Sequence, residues 1–227
     1  MKNTGLTTKI LVVASILLLP SLAYLIISKG KNDYERLEIF GPREPGKEPG
    51  DTTYHSVPPF TFTDHYGQAF GSKNLEGKLF VVEFFFATCK TICPKMTMQM
   101  KRVQQAYKDD PEINLVSFTV NPAADTVPVL STYAQKHGAM KSKWSFLTGD
   151  KKEIYDLARY GFFATTLEGD GGPHDFIHTD QLILVDKDMR IRGFYSGTDY
   201  EEVNKLIDEI KVLKWEYAKA EGKKSVW

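Results

Sequence analysis

The chain has 227 residues, enough for one ordinary domain with appendages. Its 29 Lys and Arg residues balance 29 Asp and Glu, so nothing signals the basic face that nucleic-acid binding needs. Two cysteines are too few for a disulfide scaffold, and their spacing carries more than their number.

The first apolar stretch is Ile10 to Ile27, ILVVASILLLPSLAYLII, uncharged and flanked by Lys9 and Lys29. Its length can cross a bilayer, near the short end of the range. The rival reading is a signal peptide, because Ser21-Leu22-Ala23 resembles a small-residue cleavage site. Its apolar region would be long, and apolar residues continue past that site to Ile27. The expectation is therefore a single N-terminal transmembrane helix, an anchor within residues 1–28. No cysteine adjoins it, which excludes a lipid anchor on a cysteine. Lys2 and Lys9 precede the stretch and Lys29, Lys31 and Arg36 follow it, so charge alone leaves the orientation open.

Residues 29–56 are polar and punctuated by Gly41, Pro42, Pro45, Gly46, Pro49 and Gly50. They read as a partly extended tether, with a domain following over 57–221. Phe60-Thr61-Phe62-Thr63 and the turn His65-Tyr66-Gly67-Gln68 predict a short hairpin. Leu79 to Ala87 is an apolar run broken only by Glu83, the pattern of a strand buried on both faces. Pro94 marks a helix start. Met96, Met100, Val103 and Tyr107 carry that helix to about Asp109 at helical spacing.

Ile113 to Val120 predicts a second strand. Asp125 is placed to cap a helix over Thr126 to His137, which Gly138 ends. Trp144 to Leu147 is a short strand, and Asp150 caps a helix over Lys151 to Tyr160. Residues 161–178 read as a glycine-rich loop. A hairpin pairs Gln181 to Val185 with Ile191 to Tyr195, and a last helix runs from Tyr200 to Ala220. The sum is an α/β fold, a mixed sheet with helices on both faces.

Cys89 and Cys93 sit where a strand turns into a helix. The positive partial charge at a helix N-terminus lowers a thiol pKa and favours thiolate, which is both nucleophile and metal ligand. Two buried, inert core cysteines are the plain alternative. Positions four apart on a helix hold Cβ atoms about 5–6 Å apart, whereas a disulfide needs about 3.8 Å. A reversible disulfide therefore requires Cys89 to lie in the loop before the helix. Two soft thiolates suit Cu(I) and leave room for a third ligand.

Histidine is the natural third ligand. His55 lies in the tether, His65 in a turn and His137 at a helix end. His174 and His178 lie in the glycine-rich loop that feeds a strand, the place where α/β sheets gather functional groups. His178 is the candidate, with Cys89 and Cys93. Met96 and Met100 share a helix face that packs on the sheet, and Met98 points elsewhere, so thioether ligands are not expected.

Phe85-Phe86-Ala87-Thr88-Cys89-Lys90-Thr91-Ile92-Cys93-Pro94 resembles the F-x-x-x-C-x-x-x-C-P signature of the Sco (SenC) family. His178-Thr179, with Asp188 ten residues after the histidine, is similar to that family's metal histidine and hairpin. Asn121-Pro122-Ala123-Ala124-Asp125-Thr126 is similar to its D-P-x-x-D-T motif, with Asn121 replacing the first aspartate. The similarity spans about residues 57–215 and implies a thioredoxin-like domain. It implies copper, as Cu(I) and also Cu(II), held by Cys89, Cys93 and His178. The implied role is assembly of the CuA centre of cytochrome c oxidase, by a copper chaperone or a thiol reductase of the oxidase cysteines. The implied partners are the oxidase subunit carrying CuA and a thiol reductant or copper donor. The implied location of the domain is periplasmic or the equivalent extracytoplasmic side.

Two further classes stand beside the chaperone reading. A thiol–disulfide oxidoreductase or thiol peroxidase would use the same pair, although thioredoxin-like reductases use Cys-x-x-Cys and one residue is extra here. A redox or copper sensor acting through a partner is the third. The substitution at Asn121 removes one carboxylate of the family pattern, and Asp125 is left to orient a neighbour or to cap its helix.

Overall fold

The computed structural model describes residues 5–29, 36–46, 51–165, 177 and 179–222. The chain divides into two units, Met1–Glu35 and Arg36–Trp227. In the first, Gly5–Lys29 is a helix, α1, with Pro20 inside it. Proline leaves a carbonyl of the preceding turn without its partner, and nearby the Ser21 hydroxyl donates to the Leu17 carbonyl at 2.7 Å. Among the described residues no helix is long and apolar enough to cross a membrane. The single transmembrane helix expected from Ile10 to Ile27 is thus not established by α1.

The second unit is built on a seven-stranded sheet. Its strands in chain order are β3 (Thr61–Asp64), β4 (Ala69–Gly71), β5 (Leu79–Phe85), β6 (Ile113–Thr119), β7 (Trp144–Thr148), β8 (Gln181–Val185) and β9 (Ile191–Ser196). Their order across the sheet is β4-β3-β7-β6-β5-β8-β9. β5, β6 and β7 run parallel, while β8 joins β5 antiparallel and β3 joins β7 antiparallel. β5, β6 and β7 are buried at every position, as strands covered on both faces must be. The expected mixed α/β sheet and its hairpin over β3 and β4 are both present.

Strand side chains alternate, so the two faces of β5 enter two cores. Phe80, Val82 and Phe84 meet Ile154, Tyr155 and Phe162 on one side. Leu79, Val81 and Phe85 meet Met96, Met100, Leu130 and Leu206 on the other. The second face is therefore covered by α2 (Cys93–Ala106), α3 (Val127–His137) and α5 (Tyr200–Ala220), and the first by α4 (Lys151–Asp156) and the turn after it. Met96 and Met100 are fully buried while Met98 is 62% exposed, as their spacing requires.

Three local readings are corrected. The α2 helix stops at Ala106, because Tyr107 leaves helical geometry at φ −123°. The helix expected to reach Tyr160 ends its α-helical part at Asp156 and widens into a π turn over Leu157–Gly161. There the Phe162 N–H reaches back five residues to the Leu157 carbonyl, and Phe162 enters the core.

The third correction concerns the tether. Its described part, 36–46 and 51–56, lies within the second unit. Arg43–Pro45 and Thr52–Tyr54 pair as a small hairpin, β1 and β2. Phe40 bridges to Ile191, and the Val57 N–H donates to the Met189 carbonyl at 2.8 Å. Arg192 is buried and donates to the carbonyls of Leu37 and Glu38 at 2.7 and 3.0 Å. Proline and glycine punctuation signals the absence of a helix or long strand; it does not signal the absence of docking.

Candidate metal centre

β5 carries the chain to one edge of the sheet and ends at Phe85. A turn follows, closed by the Cys89 N–H on the Phe86 carbonyl at 3.2 Å. α2 starts at Cys93, with Pro94 in the first turn, where the missing N–H costs nothing. Cys89 therefore lies in the loop and Cys93 on the helix, the arrangement a reversible disulfide needs. Both are free thiols, Cys93 buried and Cys89 half-buried. The structure brings them near enough for each thiol to shift the pKa of the other.

Their environments differ. Burial pushes the Cys89 thiol up, but hydrogen bonds outweigh it and hold the thiol down at about 7. Those bonds come from the Thr91 hydroxyl, from the backbone N–H groups of Cys93 and Thr91, and from the Cys93 thiol. The Thr91 oxygen lies 3.5 Å from Cys89 Sγ. Donors of this kind at a helix start stabilise a thiolate. Burial pushes the Cys93 thiol up to about 12, only partly opposed by the Phe86 N–H, and the charges of Cys89 and Glu83 push the same way. One thiol is thus a half-buried nucleophile near neutral pH and the other, buried, is held protonated.

The loop is pinned from beneath by Asp125. The carboxylate is fully buried and accepts from the Ala87 N–H at 3.0 Å and the Thr119 hydroxyl at 2.5 Å. It does not cap α3, whose N-cap is Thr126 with no side-chain capping bond. Of the two roles read for Asp125, orienting a neighbour is the one it has. In the Asn121 segment the backbone makes the turn, the Asn121 carbonyl accepting from the Ala124 and Asp125 N–H groups.

Among the histidines, His55 Nε2 bonds the Gly161 carbonyl at 2.8 Å. The buried His65 accepts the Phe146 N–H on Nδ1 at 3.2 Å. The His137 ring lies against Tyr133, with centroids 4.3 Å apart. His178, the candidate third ligand, and His174 lie outside the described residues. Among the described residues no three His, Cys, Asp or Glu side chains form a metal site. Glu83 pairs with Leu182, so β8 begins, at Gln181, beside the end of β5 that carries the thiols.

A groove of about 580 Å³ lies elsewhere, lined by His55, Pro58, Phe60, Glu153 and Tyr160 among others. It holds neither thiol, and a two-thiolate site at a helix start needs no such groove. Two groups near the thiols were not singled out from sequence. Thr91 was one letter of a motif, and Glu83 was only the break in an apolar run, although a lone charge inside a strand buried on both faces is itself a signal.

The comparisons agree with this architecture. The SCO1/SenC family model matches residues 48–214. A SCO1 protein homolog of Bacillus subtilis is 29% identical over 168 residues, covering 73% of this chain and 86% of its own. The structure of BsSco, described with a disulfide switch and as a member of the Sco family of cytochrome c oxidase assembly proteins, aligns at TM-score 0.59 and 30% identity, covering 69% of this chain and 92% of that one. ScoI of Bradyrhizobium japonicum, solved with copper bound, aligns at TM-score 0.54 and 25% identity over 68% of this chain and 98% of that one. With the family model spanning most of the chain and the paired thiols standing at its motif, the protein belongs to the SCO1/SenC family.

Proposed function

We propose that this protein is a membrane-anchored copper chaperone that assists assembly of the CuA centre of cytochrome c oxidase. Copper is its cargo, taken by the thiolates of Cys89 and Cys93 with His178 as third donor. The observation that carries this is the thiol pair itself, free, adjacent and asymmetric at the start of α2. Such soft donors fit Cu(I), and a nitrogen donor extends the set toward Cu(II). The copper-bound ScoI of Bradyrhizobium japonicum supports the cargo. The course of the chain into β8 supports His178. The uncharged run from Ile10 to Ile27 supports α1 as the anchor. CuA assembly then places the domain on the periplasmic, or equivalent extracytoplasmic, side.

A second reading rests on the same thiols. One dithiol can hold a metal or exchange disulfides. The low thiol of Cys89 beside a reserve thiol suits reduction of the oxidase cysteines. The disulfide switch described for BsSco supports it.

The test is anaerobic copper titration of the full chain in detergent against a competing chelator. The wild type retains Cu(I). His178→Ala binds Cu(I) more weakly and loses stable Cu(II) binding, while His174→Ala has a smaller effect. The reverse ranking of the two histidines would move the third ligand to His174. Undiminished Cu(I) retention by Cys89→Ser would remove the thiol pair from the site.

A further inference from the structure

Charge is even over the whole chain but not over its length. No Asp or Glu stands between Glu83 and Asp109, and none between Asp125 and Asp150. These two acid-free stretches hold the thiol loop with α2, and α3 with the turn after it. α2 and α3 cover the same face of the sheet. They are tied to each other by the 2.8 Å hydrogen bond between the Thr97 and Tyr133 hydroxyls, and by Gln104 Nε2 donating to the Gly138 carbonyl at 2.9 Å. Residues three and four apart share one side of a helix. On α2, Lys95, Met98 and Lys101 follow one another at that spacing, and all three are exposed.

The cations on this face are not neutralised. Among the described residues, Lys90, Lys95, Lys101 and Lys136 make no ion pair. Lys101 reaches across to the end of α3, its Nζ 3.5 Å from where a side chain on Gly138 would begin. His137 is held below its usual range by burial and then by the charges of Lys136 and Lys101, so both ammonium groups act on one ring. Met98 stands between Lys95 and Lys101 with its thioether in solvent. The half-buried Cys89 lies at the α2 start, with Lys90 exposed beside it and Lys95 in the first turn. On the other flank, Arg102 stacks on Tyr200 at 3.7 Å. There Glu201 and Glu202, in the first turn of α5, bound the cationic area with acid.

We propose that the cationic face of α2 and α3 is a docking surface for a protein with an acidic face, which it steers onto Cys89. This rests on the function proposed above in one respect: Cys89 is the group the partner must reach, whether copper or electrons pass. Complementary charge speeds encounter and fixes orientation more than it tightens a complex. Lys90, Lys95, Lys101 and Lys136 supply the attraction. Met98 supplies the apolar contact among them, since methionine is enriched at interfaces where lysine is depleted. The acid at the start of α5 repels the same partner and so sets which way round it lands. An anionic bilayer is the other surface that cations attract. Lying on α2 it would cover Cys89 and close it to any protein, and one exposed methionine is far short of the apolar face that an interfacial helix buries in lipid.

The test uses the reduced full chain in detergent and two probes. The first is the purified oxidase subunit that carries CuA, its association followed by stopped-flow fluorescence. A variant combining Lys95→Glu, Lys101→Glu and Lys136→Glu should associate about tenfold or more slowly at low salt, and at the wild-type rate at high salt. Equal rates at low salt would overturn the proposal. Should that variant fail to fold, the same three positions changed to Gln should give an intermediate slowing, and no slowing would count equally against it. The second probe is polyglutamate, read by alkylation of Cys89 with uncharged iodoacetamide, each protein being compared with and without the polymer. It should shield Cys89 in the wild type and not in the variant. Shielding without association of the oxidase subunit would fault the oxidase reading alone, and the absence of both would overturn the docking face. In lipid nanodiscs, replacing phosphatidylcholine by phosphatidylglycerol should leave Cys89 alkylation unchanged. A slowing that the three substitutions relieve would assign the face to lipid and overturn the proposal.

Discussion

At the scale of single residues, a buried carboxyl makes stability depend on pH. Glu83 ordinarily titrates near 4.5 and is raised by burial to about 7 in the fold. The folded chain therefore binds more protons than the unfolded chain between those values. Stability from this group is fully present below the unfolded value and is lost as pH rises through the folded one. At about 1.4 kcal/mol per pH unit, the loss is roughly 3 kcal/mol. Glu83→Gln should flatten that part of the curve, leaving the variant more stable than the wild type above neutral pH. Urea midpoints measured on both sides of neutrality check this, and parallel curves would mean that Glu83 ionises in the fold as it does in water. The same residue shows how a sequence understates a site. A Glu among Val and Phe is visible on the page, but Ser117 and Trp144, which fix its oxygens, lie on strands far away in sequence.

Among elements, the regular pieces were legible because each carries a local period or a terminal signal. The final helix runs from Tyr200 to Ala220 as its apolar stripe requires. α3 ends on Gly138, whose φ of 72° is the left-handed conformation that favours glycine. What failed was local inference about a side chain with a distant partner. Asp125 stands one residue before the α3 N-cap and looks like a cap, yet its carboxylate reaches back to Ala87 and Thr119. It thereby ties the start of α3 to the end of β5 and to the loop that holds Cys89. Asp125→Ala would leave the half-buried Ala87 N–H and the buried Thr119 hydroxyl without their acceptor, at a cost of about 1–3 kcal/mol. Asp125→Asn keeps one acceptor oxygen and should cost less. Thermal midpoints should therefore rank wild type, Asn, Ala, and Ala should also change the alkylation rate of Cys89. Equal midpoints for Asn and Ala would show that the hydrogen bonds to Ala87 and Thr119 are not what Asp125 supplies.

For the whole molecule, the consequential misreading was where the domain begins. Composition placed its start at residue 57, but the compact unit begins at Arg36. The arm is held by a buried charge. Arg192 is 4% exposed and its guanidinium is shared among Asp186, Glu216 and the carbonyls of Leu37 and Glu38. Glu216 in turn accepts the Leu37 N–H at 2.7 Å. Phe40 adds its ring against Phe194, edge to face at 5.3 Å. None of these partners is within a hundred residues of the arm in sequence, so no local pattern could reveal them. A fragment covering 36–222 should keep this network whole. A fragment covering 57–222 removes two acceptors from a buried cation and one donor from Glu216, each loss costing about 1–3 kcal/mol. For a chain of this size, each kcal/mol lowers the melting temperature by about 2–4 °C. The shorter fragment should therefore melt several degrees lower or fail to fold, and substituting Arg192 by Leu in it should lower the melting temperature further, because Asp186 and Glu216 would lose the cation they still share. Identical melting of the two fragments would mean that residues 36–56 add nothing to the domain they are docked on.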